Sequence, residues 1–253
     1  MQFSRKAYYL IIGFFYFFAI DIIAQDQRIA DSLAIIYNED TIQGVEKLVL
    51  LENLSFNEIE VYNQRLLYSE ELISLSERSD NKYYLSQGYF QKGSAKYRLG
   101  ELEDAIKAYF KSAEIAQKES LMQFEGSAYG SIADIYSISE NHTHAMLYYN
   151  KAIATLRKSK DSIALASYIM TAGDALLTNK KYDSALVYFR ESGEIFEKVN
   201  YLIGKAYNLG NIGMVHANTG KSDLAESNIN DAIKILEESG DYYPISIYLD
   251  RKS

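Results

Sequence analysis

Residues 93–109 read GSAKYRLGELEDAIKAY, and the same outline returns three times. Forty residues on, 133–149 read ADIYSISENHTHAMLYY; then 173–189 read GDALLTNKKYDSALVYF, and 213–229 read GMVHANTGKSDLAESNI. A small residue heads each stretch: Gly93, Ala133, Gly173, Gly213. Twelve positions later stands an alanine (Ala105, Ala145, Ala185, Ala225), and four beyond it a large apolar residue (Tyr109, Tyr149, Phe189, Ile229). A fixed period with a fixed size pattern marks a helical repeat array, in which each unit is one helix pair.

The pattern predicts helix A at Lys82–Leu99, Leu121–Ser139, Ser162–Asn179 and Tyr201–Thr219. Helix B follows at Glu103–Glu119, Thr143–Ser159, Asp183–Val199 and Asp223–Ser239. Asn179-Lys-Lys and Thr219-Gly-Lys read as stops, with Asp183 or Ser222 as the next cap. Packed helices lie about 8–10 Å apart, which leaves no room for branched side chains at closest approach. The small residues of helix A are therefore expected against the alanines of helix B, with the large residues on either side.

The units run 82–120, 121–160, 161–200 and 201–240. Stepping back forty from Ala105 gives Arg65, so 25–81 reads as a leading helix and a degenerate capping repeat. A polar residue at the small position fits a cap whose outer face meets water. Stepping forward from Gly213 gives Ser253, so 241–253 reads as the start of a truncated further repeat, and the chain as a fragment of a longer protein.

Within the units, Gly93, Leu99-Gly100, Ala105-Ile106, Tyr109 and Lys111-Ser112-Ala113 resemble the tetratricopeptide repeat (TPR), with its W-x2-L-G-x2-Y…A-x3-F…A pattern. The later units match as Ile132-Ala133…Ala145-x3-Tyr149…Ala152, Gly173…Ala185-x3-Phe189 and Ile212-Gly213…Ala225-x3-Ile229…Ala232. The family period is 34, against forty here, and the proline after helix B is missing. The resemblance implies an all-α fold: a right-handed superhelical array of antiparallel helix pairs, a TPR-like α-solenoid. Asn53–Glu58, Gly88–Gly93 and Tyr201–Gly213 resemble the arrays of TPR-containing adenylate/guanylate cyclases, and histidine kinases use similar ones. That likeness implies a sensory region that binds a protein or peptide, with no cyclase or kinase residue of its own.

The concave face of such an array is lined by helix A. The resemblance places there Phe90, Ser94, Tyr97 and Arg98; Ser131 and Asp134; Met170 and Asp174; and Tyr207, Asn211 and Met214. It places Gln87, Gln91, Ser127, Ile138, Thr171, Leu177 and Asn218 on the same face. Only Arg98 and Asn211 resemble the Lys/Asn/Arg clamp that holds acidic tails. Asp134 and Asp174 share one repeat position and are expected about 10 Å apart. With no nucleophile beside them they read as hydrogen-bonding groups, not as an acid/base pair.

Other chemistry is sparse. No phosphate-binding, dinucleotide, zincin or nucleophile-elbow motif occurs. His142 and His144 form an H-x-H pair without a third ligand at helical spacing, which reads as a solvated turn with His142 partly packed. His216 takes a packing position on helix A. No catalytic residue, cofactor or metal is expected. There are 23 tyrosines, read as packing residues with hydroxyls at the rim. The net charge of −8 argues against nucleic acid or an anionic lipid surface as partner.

The first 24 residues differ from the rest. Arg5-Lys6 precedes the apolar run 7–20, and Ala24 offers a small residue before Gln25. This is the layout of a signal peptide, with an uncleaved anchor as the alternative. The run is short for a membrane span, which needs about 17–25 residues. Cleavage after Ala24 removes two basic residues and one acidic one, leaving −9. The expected location is the bacterial periplasm or envelope, and the protein there is either a receptor's sensory region or a free adaptor. No cysteine exists for a disulfide or for lipid attachment.

The tight packing of the alanines makes a prediction. Ala185→Leu overfills its contact and lowers unfolding free energy by about 1–3 kcal/mol, measured by urea titration.

Overall fold

A computed structural model describes residues 26–239, and among them the chain forms eleven α-helices and no strand. They are α1 Gln27–Asn38, α2 Val45–Asn57, α3 Tyr62–Arg78, α4 Lys82–Arg98, α5 Leu102–Lys118 and α6 Met122–Ile138. Then follow α7 His142–Leu156, α8 Ser162–Thr178, α9 Tyr182–Lys198, α10 Leu202–Asn218 and α11 Ser222–Ser239. Together they build a solenoid of TPR-like helix pairs. The signal peptide assigned to 1–24 and the repeat start assigned to 241–253 lie outside the described residues.

From Tyr62 on, a helix begins every twenty residues, and most helices are 17 residues long. The three-residue joints explain this beat. Asp80, Gly100, Ser120, Glu140, Lys180, Asn200 and Gly220 all have positive φ. Behind each, the next amide donates to the last turn, as in Glu101 N to Lys96 O and Lys181 N to Leu176 O, both 2.9 Å. This left-handed closure satisfies carbonyls that a helix end otherwise leaves unpaired. The joint at Lys160 differs: α7 stops at Leu156, and the Asp161 side chain accepts from Ala164 N at 2.8 Å to start α8. Asn81 and Asn141 cap α4 and α7 in the same way. Asp183 and Ser222 do not cap: both lie inside their helices, where Asp183 meets the positive end of the α9 dipole.

The small residues of helix A lie against the large residue of helix B more than against its alanine. A Cβ added at Gly93 would stand 2.7 Å from the Tyr109 ring, and one at Gly173 2.8 Å from Phe189. At Gly213 it would meet Ile229 at 2.7 Å and the Ala225 carbonyl at 3.2 Å. The space that the missing side chain leaves is taken up by the large residue of helix B, with the alanine also met at Gly213 and Ala133 in one cluster with Ala145. Each alanine is itself buried close by, Ala105 and Ala185 completely.

Most core clusters of the array straddle units. One joins Ala133, Ala145, Tyr149 and Ile153 of one pair to Ile169, Ala172 and Ala175 of the next, as expected of stacked repeats. The last described unit also has a cluster within itself, Ala206, Ile229, Ala232 and Leu236. At the N-terminal end, α1 closes over Leu48, Leu51, Leu54, Tyr68 and Leu72 of α2 and α3. Arg65 corrects the expectation of a water-facing cap position. It is 2% exposed, because this position on helix B faces inward in the cap as in every other unit. Its Nη2 donates to Gln91 Oε1 at 2.7 Å, its Nε has no partner, and burial brings its pKa down to about 10.

The joints yield a prediction. Lys180 has φ +59°, a strained conformation for a residue with Cβ. Lys180→Gly raises stability by about 1 kcal/mol, read as a higher urea midpoint with unchanged slope.

Candidate functional site

Helices A touch their counterparts along the stack: α4 with α6, α6 with α8, and α8 with α10. This puts helix A on the inner face of the curve. There, between α4, α6 and α8, lies a cavity of about 360 Å³. Tyr97 of α4, Ser131, Asp134, Ser137 and Ile138 of α6, and Thr171, Asp174, Ala175 and Thr178 of α8 form its walls. Its back wall comes from helix B, where Tyr109 of α5 and Tyr149 of α7 reach through the inner layer.

Those tyrosines are the residues that sequence reasoning placed only in the core. Their rings are core, at 4% and 1% exposure, but their hydroxyls are not at the rim. The Tyr149 hydroxyl donates to Asp134 Oδ1 at 2.7 Å. The Tyr109 hydroxyl lies with those of Ser131 and Ser94. Tyr168, whose ring fills the space over Gly130, donates to the Ser127 carbonyl at 3.1 Å. A signal was present in the sequence. The same position holds Tyr, Tyr, Phe and Ile along the array, and a buried phenol needs a polar partner.

Burial dominates the electrostatics. It pushes the Asp134 carboxyl up to about 6, against the opposing pull of the Tyr149 hydrogen bond. Burial also pushes the Tyr109 phenol up to about 12, and raises those of Tyr149 and Tyr168, with the Asp134 charge adding to both. All three phenols are neutral donors at physiological pH. Asp134 accepts the Tyr149 hydrogen bond at Oδ1 and is part of the cavity wall.

The cavity brings together Tyr97, Ser131, Asp134 and Asp174 of the expected face. Phe90 and Ser94 adjoin it through Tyr109, with the Phe90 ring 5.3 Å from the Tyr109 ring. Arg98 is exposed at the end of α4, outside the lining. Met170 is half-buried against Leu176, Ala185, Phe189 and Val215. Tyr207 and Asn211 are half-buried on α10, outside the cavity. Met214 is a correction. It is 5% exposed, an apolar side chain withdrawn from water where Asp174, one unit earlier, stays exposed. Gln87 and Gln91 are also buried, Gln91 engaged by Arg65.

The histidines take other roles. His142 and His144 are exposed in the first turn of α7, and it is His144, not His142, that packs, 5.1 Å from the Tyr136 ring. His216 is half-buried, its Nδ1 unpartnered, with its pKa lowered by burial and then by Lys221 and Arg190. Among the described residues no group of three metal-ligating side chains occurs, and no helix is long and apolar enough to cross a membrane.

The comparisons with known proteins agree with this geometry. A profile described as tetratricopeptide repeat matches residues 86–119 and 126–155. Those two units match the tetratricopeptide repeat. No curated protein matches the sequence significantly. A Rap protein complexed with Competence and Sporulation Factor is similar in structure, with a TM-score of 0.75 at 16% identity, covering 98% of this chain and 70% of that one. BtubC from P. vanneervenii is similar at TM-score 0.66 and 18% identity, covering 86% and 90%. A signal transduction ATPase with a tetratricopeptide repeat sensor, from Pyrococcus horikoshii, is similar at 0.63 and 16%, covering 86% of this chain and 37% of that one. At these identities the likeness is one of fold.

The raised Asp134 carboxyl has a stability consequence. Its penalty is absent below about pH 4 and fully present above about pH 6, where the folded state must hold the buried charge. Asp134→Asn keeps an acceptor for Tyr149 and removes that charge. It stabilises the protein by about 1–3 kcal/mol near pH 8 and by little near pH 4, measured by urea unfolding at both.

Proposed function

We propose that this chain is an exported interaction scaffold that binds a protein or peptide along its inner helix-A face, as the sensory region of a transmembrane signalling protein. One observation carries the binding part. A cavity of about 360 Å³ opens on that face, lined by hydroxyls, carboxylates and tyrosine rings. Such a mix of apolar walls and a few directed polar groups suits a ligand site. Repeat arrays use the inner curve for partners, and the Rap protein of the same fold is seen complexed with a factor. The archaeal ATPase, whose tetratricopeptide repeat part is described as a sensor, supports the sensory role.

Export rests on the basic Arg5-Lys6, the apolar run 7–20 and Ala24. The sensory role draws on the resemblance of Gly88–Gly93 and Tyr201–Gly213 to cyclase-linked arrays. An adenylate/guanylate cyclase domain is the output that this resemblance favours, in a parent longer than this chain.

Two measurements test the proposal. Expression in a Gram-negative host, followed by fractionation and N-terminal sequencing, yields periplasmic protein beginning at Gln25; cytoplasmic protein beginning at Met1 sinks the export part. Affinity capture from envelope extract recovers a partner that the Asp134→Ala, Asp174→Ala double variant loses. Equal capture by both proteins moves binding away from this face.

A further inference from the structure

We propose that α1–α3 part from the array as one body, separating from α4 along a buried polar seam and turning at the Asp80 joint.

The cap has a core of its own. Leu48, Leu51 and Leu54 of α2 and Tyr68 and Leu72 of α3 form one cluster, with Leu33, Ile36 and Tyr37 of α1 packed on it and Tyr84 of α4 at its edge. Polar ties close the same body. The Tyr37 hydroxyl donates to Glu71 Oε2 at 2.6 Å, which joins α1 to α3. The Gln27 side chain accepts from Ile59 N at 2.9 Å and Glu60 N at 3.1 Å, which joins α1 to the loop before α3. Parting of α1 alone breaks these bonds and opens this core.

The face that α3 turns to the array is built differently. At three registers the later helices B hold Ala, then Tyr, Phe or Ile, then Ala, Leu or Phe. There α3 holds Arg65, Ser69 and Ser76, and all three are buried. Gly88 of α4 lets the two backbones approach: a Cβ there would stand 3.2 Å from Ile73 N and 3.4 Å from Ser69 O. Inside this close contact Arg65 Nε and Ser76 Oγ have no hydrogen-bond partner. The Arg65 guanidinium meets the neutral Gln91 amide, and the charge of Arg98 adds to the penalty of burial. A sealed polar atom without a partner costs free energy that hydration returns, and a buried charge costs more.

Apolar packing across the seam is correspondingly thin. Ile73 of α3 meets Leu85 and Ile115, a cluster of three buried residues, against seven between the units 121–160 and 161–200. The covalent link between the two bodies is the joint 79–81, where Asp80 has φ +53°. A cohesive cap, a seam with unmet polar atoms and a short joint are the parts of a cooperative opening unit.

Hydrogen exchange of the purified protein, read by mass spectrometry of peptic fragments, tests this. Interior amides of α1, α2 and α3 are expected to share one opening constant, at least about tenfold larger than that of α6 and α8. Ser76→Ala removes the unpartnered hydroxyl and is expected to lower the cap's constant about fivefold or more. Arg65→Met with Gln91→Leu removes the charge together with its acceptor and lowers it about tenfold or more. In both variants α8 keeps its exchange rates. Graded exchange, with α1 opening more than α2 and α2 more than α3, is fraying from the end and overturns the proposal. So does a cap constant equal to that of α6 and α8, or one that Ser76→Ala leaves unchanged or raises. Ser76→Ala decides the matter if the double variant fails to fold.

Discussion

The stack depends on one recurrent contact, a helix-A residue without a side chain pressed against a large side chain of helix B. Gly93 on Tyr109, Gly173 on Phe189 and Gly213 on Ile229 repeat it, and none has room for a Cβ without displacement. Ala133 takes the same place in the second unit, in one cluster with Tyr149. The contact sets how closely the two helices approach, and so how each pair presents itself to the next. Where core clusters bridge pairs, an error at one crossing is passed to its neighbour.

Length is the second constraint. Two 17-residue helices and two three-residue joints make the forty-residue period, and left-handed residues close all but one of the joints from Asp80 to Gly220. Only Gly100 and Gly220 adopt that conformation freely; Asp80, Ser120, Glu140, Lys180 and Asn200 adopt it at some expense in strain. The regular beat is thus maintained by packing against intrinsic preference at several joints. This is why stops such as Asn179-Lys-Lys were readable in the sequence while caps at Asp183 and Ser222 were misplaced. The turn is decided by the residue with positive φ and by the backbone hydrogen bond behind it, and not by the first side-chain oxygen that follows.

The inner face shows structural demands and site demands meeting in single residues. Tyr149 is a core ring and, at its far end, the donor to Asp134. Asp134 stands where burial works against its charge, the arrangement expected where a partner group is to be met. Periodicity alone indicated that Asp134 and Asp174 share a register. It did not reveal that helix B contributes the back wall, because a residue four positions after an alanine looks like packing in all four units. Nor did it separate Met214 from Asp174 at the same register: their different exposure arises from neighbours that the repeat does not encode.

By itself the sequence determined the helical class, the forty-residue unit and the positions of the small crossings. These follow from local periodicity and side-chain size, which act within a few residues along the chain. Tertiary structure alone decided which hydroxyls turn inward, which carboxylate is desolvated, and that Arg65 is enclosed and not solvated at the cap. Those outcomes depend on what a neighbouring helix, twenty or forty residues away, places in the same volume. Burial and hydrogen bonding are properties of that shared space, and no single segment carries them.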